Sequence, residues 1–239
     1  MPKSGMLWYD QRECAMGVAK PELSKQEKIL NAAEKLFAES GYNGTTTRAI
    51  AKKAKVNIAM LSYYFGGKEQ LLHAVIERFS ENLGSVFDQI ERETADPVDR
   101  MIRWMEAYVE YIFENPNHAR IVYRHVSVSQ NPDDITKLVN EFNKIRNIVL
   151  KVIEDGIEAG LFHRVDPQLA ITILIAPVNA MIVESNVVHL RLGISPVRGR
   201  LYPVEFKQKV KEEMKQLCRR FLIIDQDCRD GAATKNLQT

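Results

Sequence analysis

Cysteine is scarce: Cys14, Cys218 and Cys228 are the only three in 239 residues, odd in number and far apart. None forms a C-x-x-C pair, and no histidine stands at metal-ligand spacing from one of them. A disulfide framework and a cysteine-based metal site are therefore not expected, and free thiols suit a reducing, cytoplasmic compartment. Long apolar runs are missing too. The longest, Leu169 to Val183, is interrupted by Thr172, Pro177 and Asn179 and closed by Glu184, which is short for a bilayer span. The N-terminal residues carry no basic segment leading into an apolar run, so no secretory signal and no membrane partner are expected.

Catalytic patterns are also absent. There is no G-x-S-x-G, no H-E-x-x-H and no carboxylate–histidine set clustered along the chain. Phe65-Gly66-Gly67-Lys68-Glu69 contains a Gly-Lys step, but a phosphate-binding loop needs Gly at position 62 and Ser or Thr at 69. Ser62 and Glu69 exclude it. The chain is not expected to be an enzyme, to bind a metal or to carry a cofactor.

Acidic residues are missing from one place in particular. Between positions 45 and 68 stand five basic residues, Arg48, Lys52, Lys53, Lys55 and Lys68, and no Asp or Glu. The whole chain has a net charge of +2, so the remainder sums to −3. Such a local concentration suits a polyanion, although an ordinary solvated face has the same composition.

What is abundant is helical periodicity. Asp96-Pro97, Asn115-Pro116, Asn131-Pro132 and Asp166-Pro167 each place a capping residue before a proline. The cap side chain accepts an orphan N–H, and proline needs none in the first turn. After Pro97, apolar residues from Val98 to Phe113 follow a 3.6 period, as do those from Ile135 to Val152 after Pro132. Gly160 suits the end of that second helix. The segment 167–190 is apolar on most faces, Pro177 should kink it, and 203–223 is amphipathic. About nine helices result, in an all-α fold. Residues 1–22 and 225–239 are expected to be flexible ends. Residues 23–68 are expected to form a small domain, joined by a helix from Lys68 to a larger helical domain reaching about 224.

The small domain has a distinct grammar. Ser24 and Glu27 have capping-box spacing before Ile29, Leu30, Ala33, Leu36 and Phe37. Thr45-Thr46-Thr47 offers caps for a short helix, and Asn57 starts another after a tight turn at Lys55-Val56. Two short helices joined tightly make a helix-turn-helix whose second member fits a major groove. A plain three-helix bundle is the alternative. Hydroxyls at the first helix start and Lys68 at the next are natural phosphate ligands.

The stretch from Ile29 to Leu72 closely resembles the DNA-binding domain of TetR/AcrR-family regulators. The matching marks are Ala32-Ala33, Leu36-Phe37, Gly41-Tyr42, the Thr45 to Thr47 cluster, Ile50-Ala51, Ala54, Val56, Tyr63-Tyr64-Phe65, Lys68-Glu69 and Leu71-Leu72. The sequence departs from the family at Lys55, where Gly is common, and at Ser62 and Tyr64 beside the shared Tyr63, so operator preference cannot be borrowed. The resemblance implies that Thr45, Thr46, Tyr63 and Lys68 contact phosphates, with Thr47 and Tyr64 at the same edge. Arg48 would meet a phosphate or a base. Asn57, Ala59, Met60 and Ser62 would face base edges, while Leu61 and Phe65 pack inward. For Tyr63 a half-buried packing role stays open, as does simple exposure for Met60.

The resemblance further implies a homodimer through the last two long helices, near 167–190 and 203–223, and a small-molecule effector in the C-terminal domain. Duplex DNA and a second copy are thus the expected partners. Trp104, Tyr108 and Tyr111 form an aromatic stripe that Tyr123, His125, Phe142 and Asn179 could join around an effector; plain core packing is the competing account. A ligand-responsive regulator, expected to be a repressor, is the leading reading. A DNA-associated architectural or interaction protein without an effector is the alternative.

Overall fold

A computed structural model describes residues 23–129 and 132–224. The expected flexible ends and Asn131 lie outside these residues. Eleven helices make up nearly all of the described chain. They are α1 (Lys25–Gly44), α2 (Thr47–Ala54), α3 (Ile58–Phe65), α4 (Lys68–Glu93), α5 (Pro97–Glu114) and α6 (Pro116–Val128), followed by α7 (Pro132–Glu141), α8 (Asn143–Glu158), α9 (Pro167–Val183), α10 (Ser185–Leu192) and α11 (Val204–Leu222). Among the described residues the only strand-type pairings are isolated bridges, Phe162 with Ile223 and Val197 with Arg200.

Local chemistry explains most boundaries. The Glu27 amide donates to Ser24 Oγ at 3.1 Å and the Ser24 amide to Glu27 Oε2 at 2.8 Å, completing the capping box that opens α1. Asp96 accepts from the Val98 and Asp99 amides, and Asp166 from the Leu169 amide. Asn115 departs from this pattern. Its side-chain amide donates back to the Tyr111 carbonyl at 2.9 Å, so it closes α5 and leaves the start of α6 without a side-chain cap. Gly41, at φ 71°, breaks α1 near its end, and Gly160, also at positive φ, ends the last turn after α8.

Two breaks raise the helix number above the nine or so that periodicity suggested. The apolar stripe after Pro132 continues in register across Phe142, yet the backbone interrupts there between α7 and α8. The apolar segment from Pro167 runs through Pro177 as one helix and turns by 86° at Glu184, between α9 and α10. The expected kink thus falls well beyond the proline, at the C-terminal end of α9. Among the described residues no single helix is long and apolar enough to cross a membrane.

Two apolar clusters organise the packing. One gathers Ile29, Phe37, Ile50, Leu61, Leu71, Leu72 and Val75 from α1 to α4, together with Ile121 of α6 and Leu138 of α7. The other fills the space among α4, α5, α8, α9 and α11, with Met101, Met105, Ile153, Leu174 and Cys218 fully enclosed. Along α5 and α11, Glu106 pairs with Lys215, Glu110 with Lys211 and Glu114 with Lys207, an antiparallel ladder. Lys207 is buried and reaches both Glu110 and Glu114.

Candidate nucleic-acid interface

The recognition geometry begins with Thr46, whose Oγ1 accepts from the Ala49 amide at 3.1 Å and caps α2. Ile50, Ala51 and Ala54 bury one face of that helix. Lys55 then adopts a left-handed conformation, φ 56° and ψ 44°, which turns the chain within two residues. Asn57 Oδ1 accepts from the Ala59 amide at 2.9 Å and starts α3. Of α3, Leu61 is enclosed in the core, while Met60 and Phe65 pack against it partly buried. Helix α3 is thereby held by one side, and its other side is open.

That open side carries much of the expected set. Asn57, Ala59, Ser62, Tyr63 and Tyr64 are exposed, as are Thr46 and Arg48, with Thr47 half-buried. Tyr63 is 81% exposed and meets Tyr64 edge-on at 5.2 Å between ring centroids. A ring so exposed does not pack into the core. Ile58, 46% exposed at the start of α3, belongs to the same surface and was missed, because an apolar residue in a helical pattern is read as inward. Lys52, Lys53 and Lys55 are exposed too, with the Lys53 ammonium 3.8 Å from the Glu39 carboxylate.

Two expected phosphate ligands are placed otherwise. The Thr45 side chain is buried, its hydroxyl 2.7 Å from the Gly41 carbonyl and 3.1 Å from that of Leu36. It satisfies the broken end of α1 and cannot reach a phosphate. Lys68 donates to the carbonyls of Tyr42 and Thr45, each at 3.0 Å, and lies over the Tyr42 ring. Its ammonium braces the junction between α1 and α4. A hydroxyl or a cation at a helix start is compatible with either role, and only the tertiary path of residues 41–45 separates them.

The reading head is tied to the rest of the chain through α1. Glu34 binds Arg78 of α4 at 2.7 Å and Asn117 of α6 at 3.2 Å, and lies 3.6 Å from His118 Nε2. Burial opposes ionisation of Glu34, but His118, Asn117 and Arg78 together outweigh it and hold the carboxyl at about 2. Arg124 of α6 reaches the Ala38 and Glu39 carbonyls just before the Gly41 break.

The residues expected around an effector separate into three places. Trp104 stacks on Tyr108 at 5.5 Å, the Tyr108 hydroxyl donates to Asn179 Oδ1 at 2.9 Å, and the partly exposed Tyr123 also meets Asn179. Tyr108, Asn179 and Trp104 are buried, and Trp104 Nε1 has no hydrogen-bond partner. Burial pushes the Tyr108 hydroxyl far above the usual phenol range, so it remains a neutral donor. Tyr111 and Phe142 instead meet at Phe79, with ring centroids 5.0 Å and 5.7 Å from it. His125 lies apart from both groups, against Tyr42 and Asp134. Beside Trp104 the space bounded by Phe87, Met101, Val149 and Val152 is about 10 Å³, at the lower limit for one water.

A short capped helix, a left-handed turn and a second helix with an open cationic flank, set on an all-helical body, define a helix-turn-helix DNA-binding regulator. Residues 29–75 match the model of the tetR family of bacterial regulatory proteins, and residues 94–183 that of the tetracyclin repressor-like C-terminal domain. Together these matches span more than half of the chain, which belongs to the TetR family.

Among curated relatives, the HTH-type transcriptional repressor NicS of Pseudomonas putida is 28% identical over 146 residues, 58% of this chain and 66% of that protein. The HTH-type transcriptional repressor KstR2 of Mycobacterium tuberculosis is 28% identical over 142 residues, 59% of this chain and 70% of that one. The chain thus spans about two thirds of each. The crystal structure of PfmR, a TetR family regulator of Thermus thermophilus, superposes with a TM-score of 0.62 at 24% identity, covering 81% of this chain and 96% of that one. At that identity the likeness speaks to the fold.

Proposed function

We propose that this chain is a cytoplasmic, homodimeric transcriptional repressor that binds a pseudo-palindromic DNA operator and is released by a small molecule. The observation that carries the reading is the one-sided mounting of α3. Leu61 anchors the helix, while Asn57, Ala59, Ser62 and Tyr63 stand outward beside Arg48, Lys52, Lys53 and Lys55 with no acidic residue between 45 and 68. Cations would neutralise phosphates, and the α3 face would meet base edges. No arginine or glutamine lies on α3, so operator shape and half-site spacing would contribute strongly to selectivity.

The dimer reading is supported by α9. Leu169, Ile173, Ala176, Ala180 and Val183 of α9 form an exposed stripe at helical spacing, with Val187 of α10 and Leu217 of α11 also exposed. A self-complementary interface would cover it and set two reading heads on successive turns of one duplex. Residues 23–68 then act as the reading head and 69–224 as the regulatory and dimerising part.

The effector reading is supported by the Trp104–Tyr108–Asn179–Tyr123 cluster. Trp104, Tyr108 and Asn179 are buried between α5 and α9, Tyr123 of α6 reaches Asn179 from the exposed side, and Trp104 Nε1 lacks a partner that a ligand acceptor would supply. A ligand opening this cluster would shift α6, which is fastened to α1 at Glu34 and Arg124. Ligand and DNA would then weaken each other by the same factor.

DNA selected from a random pool by the purified protein, followed by footprinting, tests the reading. Two protected half-sites related by a dyad are expected, with a dimer in sedimentation. No protection of any selected sequence at low salt would overturn it.

A further inference from the structure

We propose that Glu69, His73 and Asp134 form a site for a first-row divalent transition-metal ion that cross-links α4 to α7. The site is independent of the DNA-binding reading, because it concerns the binding of an ion and not of DNA.

Glu69 and His73 are four residues apart on α4 and project from the same face. Asp134, in the first turn of α7, comes to meet them, and one ligand atom from each of the three residues lies within 4.8 Å of the other two. Ligands of a tetrahedral zinc ion sit about 2.0–2.2 Å from the metal, hence about 3.4 Å from one another. Side-chain rotations of about an ångström close the site.

Two observations favour an ion over a plain charge cluster. His73 Nε2 is buried and makes no hydrogen bond, and the nearest carboxylate oxygen, Asp134 Oδ1, is 3.9 Å away. A buried imidazole nitrogen without a partner is costly, and a metal ion is a partner that fits both it and the carboxylates. In addition, Asp134 is already oriented. Its Oδ2 is held by His125 Nε2 at 2.8 Å and by the Ser129 hydroxyl at 3.0 Å, which leaves Oδ1 turned toward His73. Such an outer contact to a ligating carboxylate is the usual support of a metal site. Glu69 also faces Lys137 at 3.7 Å, an exposed pair that would exchange for the ion at little cost.

Three protein ligands, one imidazole and two carboxylates, leave a fourth position for water and suit zinc or a neighbouring ion better than calcium or magnesium. The consequence is mechanical. Helix α4 begins immediately after α3 and Gly66-Gly67, so an ion here would pin the start of α4 to α7 next to the reading head.

The test uses the full chain and Zn²⁺, titrated in competition with a chromogenic chelator. One Zn²⁺ per chain is expected. His73→Gln and Asp134→Asn should each weaken it at least tenfold, and His125→Ala should weaken it less. Cys14→Ser with Cys228→Ser should leave it unchanged. The Co²⁺ form should show ligand-field bands without thiolate charge transfer. Thermal melting in the presence of a chelator reports whether each variant is folded. Absence of stoichiometric Zn²⁺ binding to the wild-type chain, or binding indifferent to His73→Gln, or binding lost with the cysteines, would overturn the assignment.

Discussion

The Lys68 ammonium sits 4.1 Å from the centre of the Tyr42 ring while donating to the Tyr42 carbonyl at 3.0 Å. With the Thr45 carbonyl as its second acceptor, this one side chain closes the break between α1 and α2 onto the start of α4. Hydrogen bonds from a charged donor are each worth about 1.5–3 kcal/mol, before the cost of ordering the side chain. Lys68→Met, which keeps the stem and removes the charge, should therefore lower stability by about 2 kcal/mol. Chemical denaturation of the full chain checks it. An unchanged midpoint with a salt slope of DNA binding reduced by about one would instead return Lys68 to the phosphates.

Lys55 is the one non-glycine residue at positive φ among the described residues. A side chain in the left-handed region costs about 1–2 kcal/mol, partly offset by the greater chain entropy that glycine loses on folding. Lys55→Gly should stabilise the chain by about 0.5–1 kcal/mol, and Lys55→Val should destabilise it by at least as much. Thermal melting of the two variants decides the sign. A loss of DNA affinity in Lys55→Gly, at higher stability, would then measure the charge alone.

Glu34 has a folded-state carboxyl held at about 2, below its ordinary 4.5. A depressed acid contributes stability that is present above the unfolded value and is lost as pH falls toward the folded one. The contribution should therefore fade between about pH 5 and pH 2. The side chain is 21% exposed, so screening keeps the loss to about 2 kcal/mol. Glu34→Gln should remove this part of the acid dependence and leave the melt at pH 7 lower than wild type. Parallel acid titrations of both chains would show coincident slopes if Glu34 were not involved.

Gly156 in α8 is packed against Phe162, which is only 1% exposed. A methyl group at position 156 would lie 2.2 Å from Cδ2 of that ring, well inside contact distance. Gly156→Ala gains helix propensity of up to about 1 kcal/mol but forces an enclosed ring to move, at a cost of about 1–3 kcal/mol or more. Net destabilisation is expected in denaturant unfolding. A neutral or stabilised variant would mean that Phe162 has room to shift.

Tyr63 separates DNA contact from folding. Because its ring is 81% exposed, Tyr63→Ala should change stability by no more than about 0.5 kcal/mol. Operator affinity should fall at least several-fold at fixed salt. Tyr63→Phe, which removes only the hydroxyl, would apportion the loss between a phosphate hydrogen bond and ring contact. Full affinity in Tyr63→Ala would take the residue out of the interface.

Much of this molecule is written locally. The capping box at Ser24 and Glu27, the caps at Thr46, Asn57, Asp96 and Asp166, and the apolar stripes of α5, α8 and α11 involve residues within a turn or two of one another. Their physics is contained in short windows of sequence, and so the all-helical class and the helix-turn-helix were legible there. The unbroken stripe across Phe142 and the apolar run across Glu184 concealed breaks, because periodicity reports which side is apolar and not whether the backbone stays straight.

Contacts between distant residues were decided by the tertiary structure alone. Thr45 turned from a phosphate ligand into a buried cap, and Lys68 into a brace, because the carbonyls of Gly41, Tyr42 and Thr45 accept from these two side chains. Glu34 gained partners from α4 and α6, and His125 went to Asp134 and not to the aromatic cluster at Asn179. Glu69, His73 and Asp134 have no sequence signature as a set, since Asp134 lies far along the chain from the other two, on another helix. A sequence determines its helices through neighbours along the chain. Which charged and polar groups meet depends on how those helices pack, and that is set by the enclosure of the whole apolar core at once.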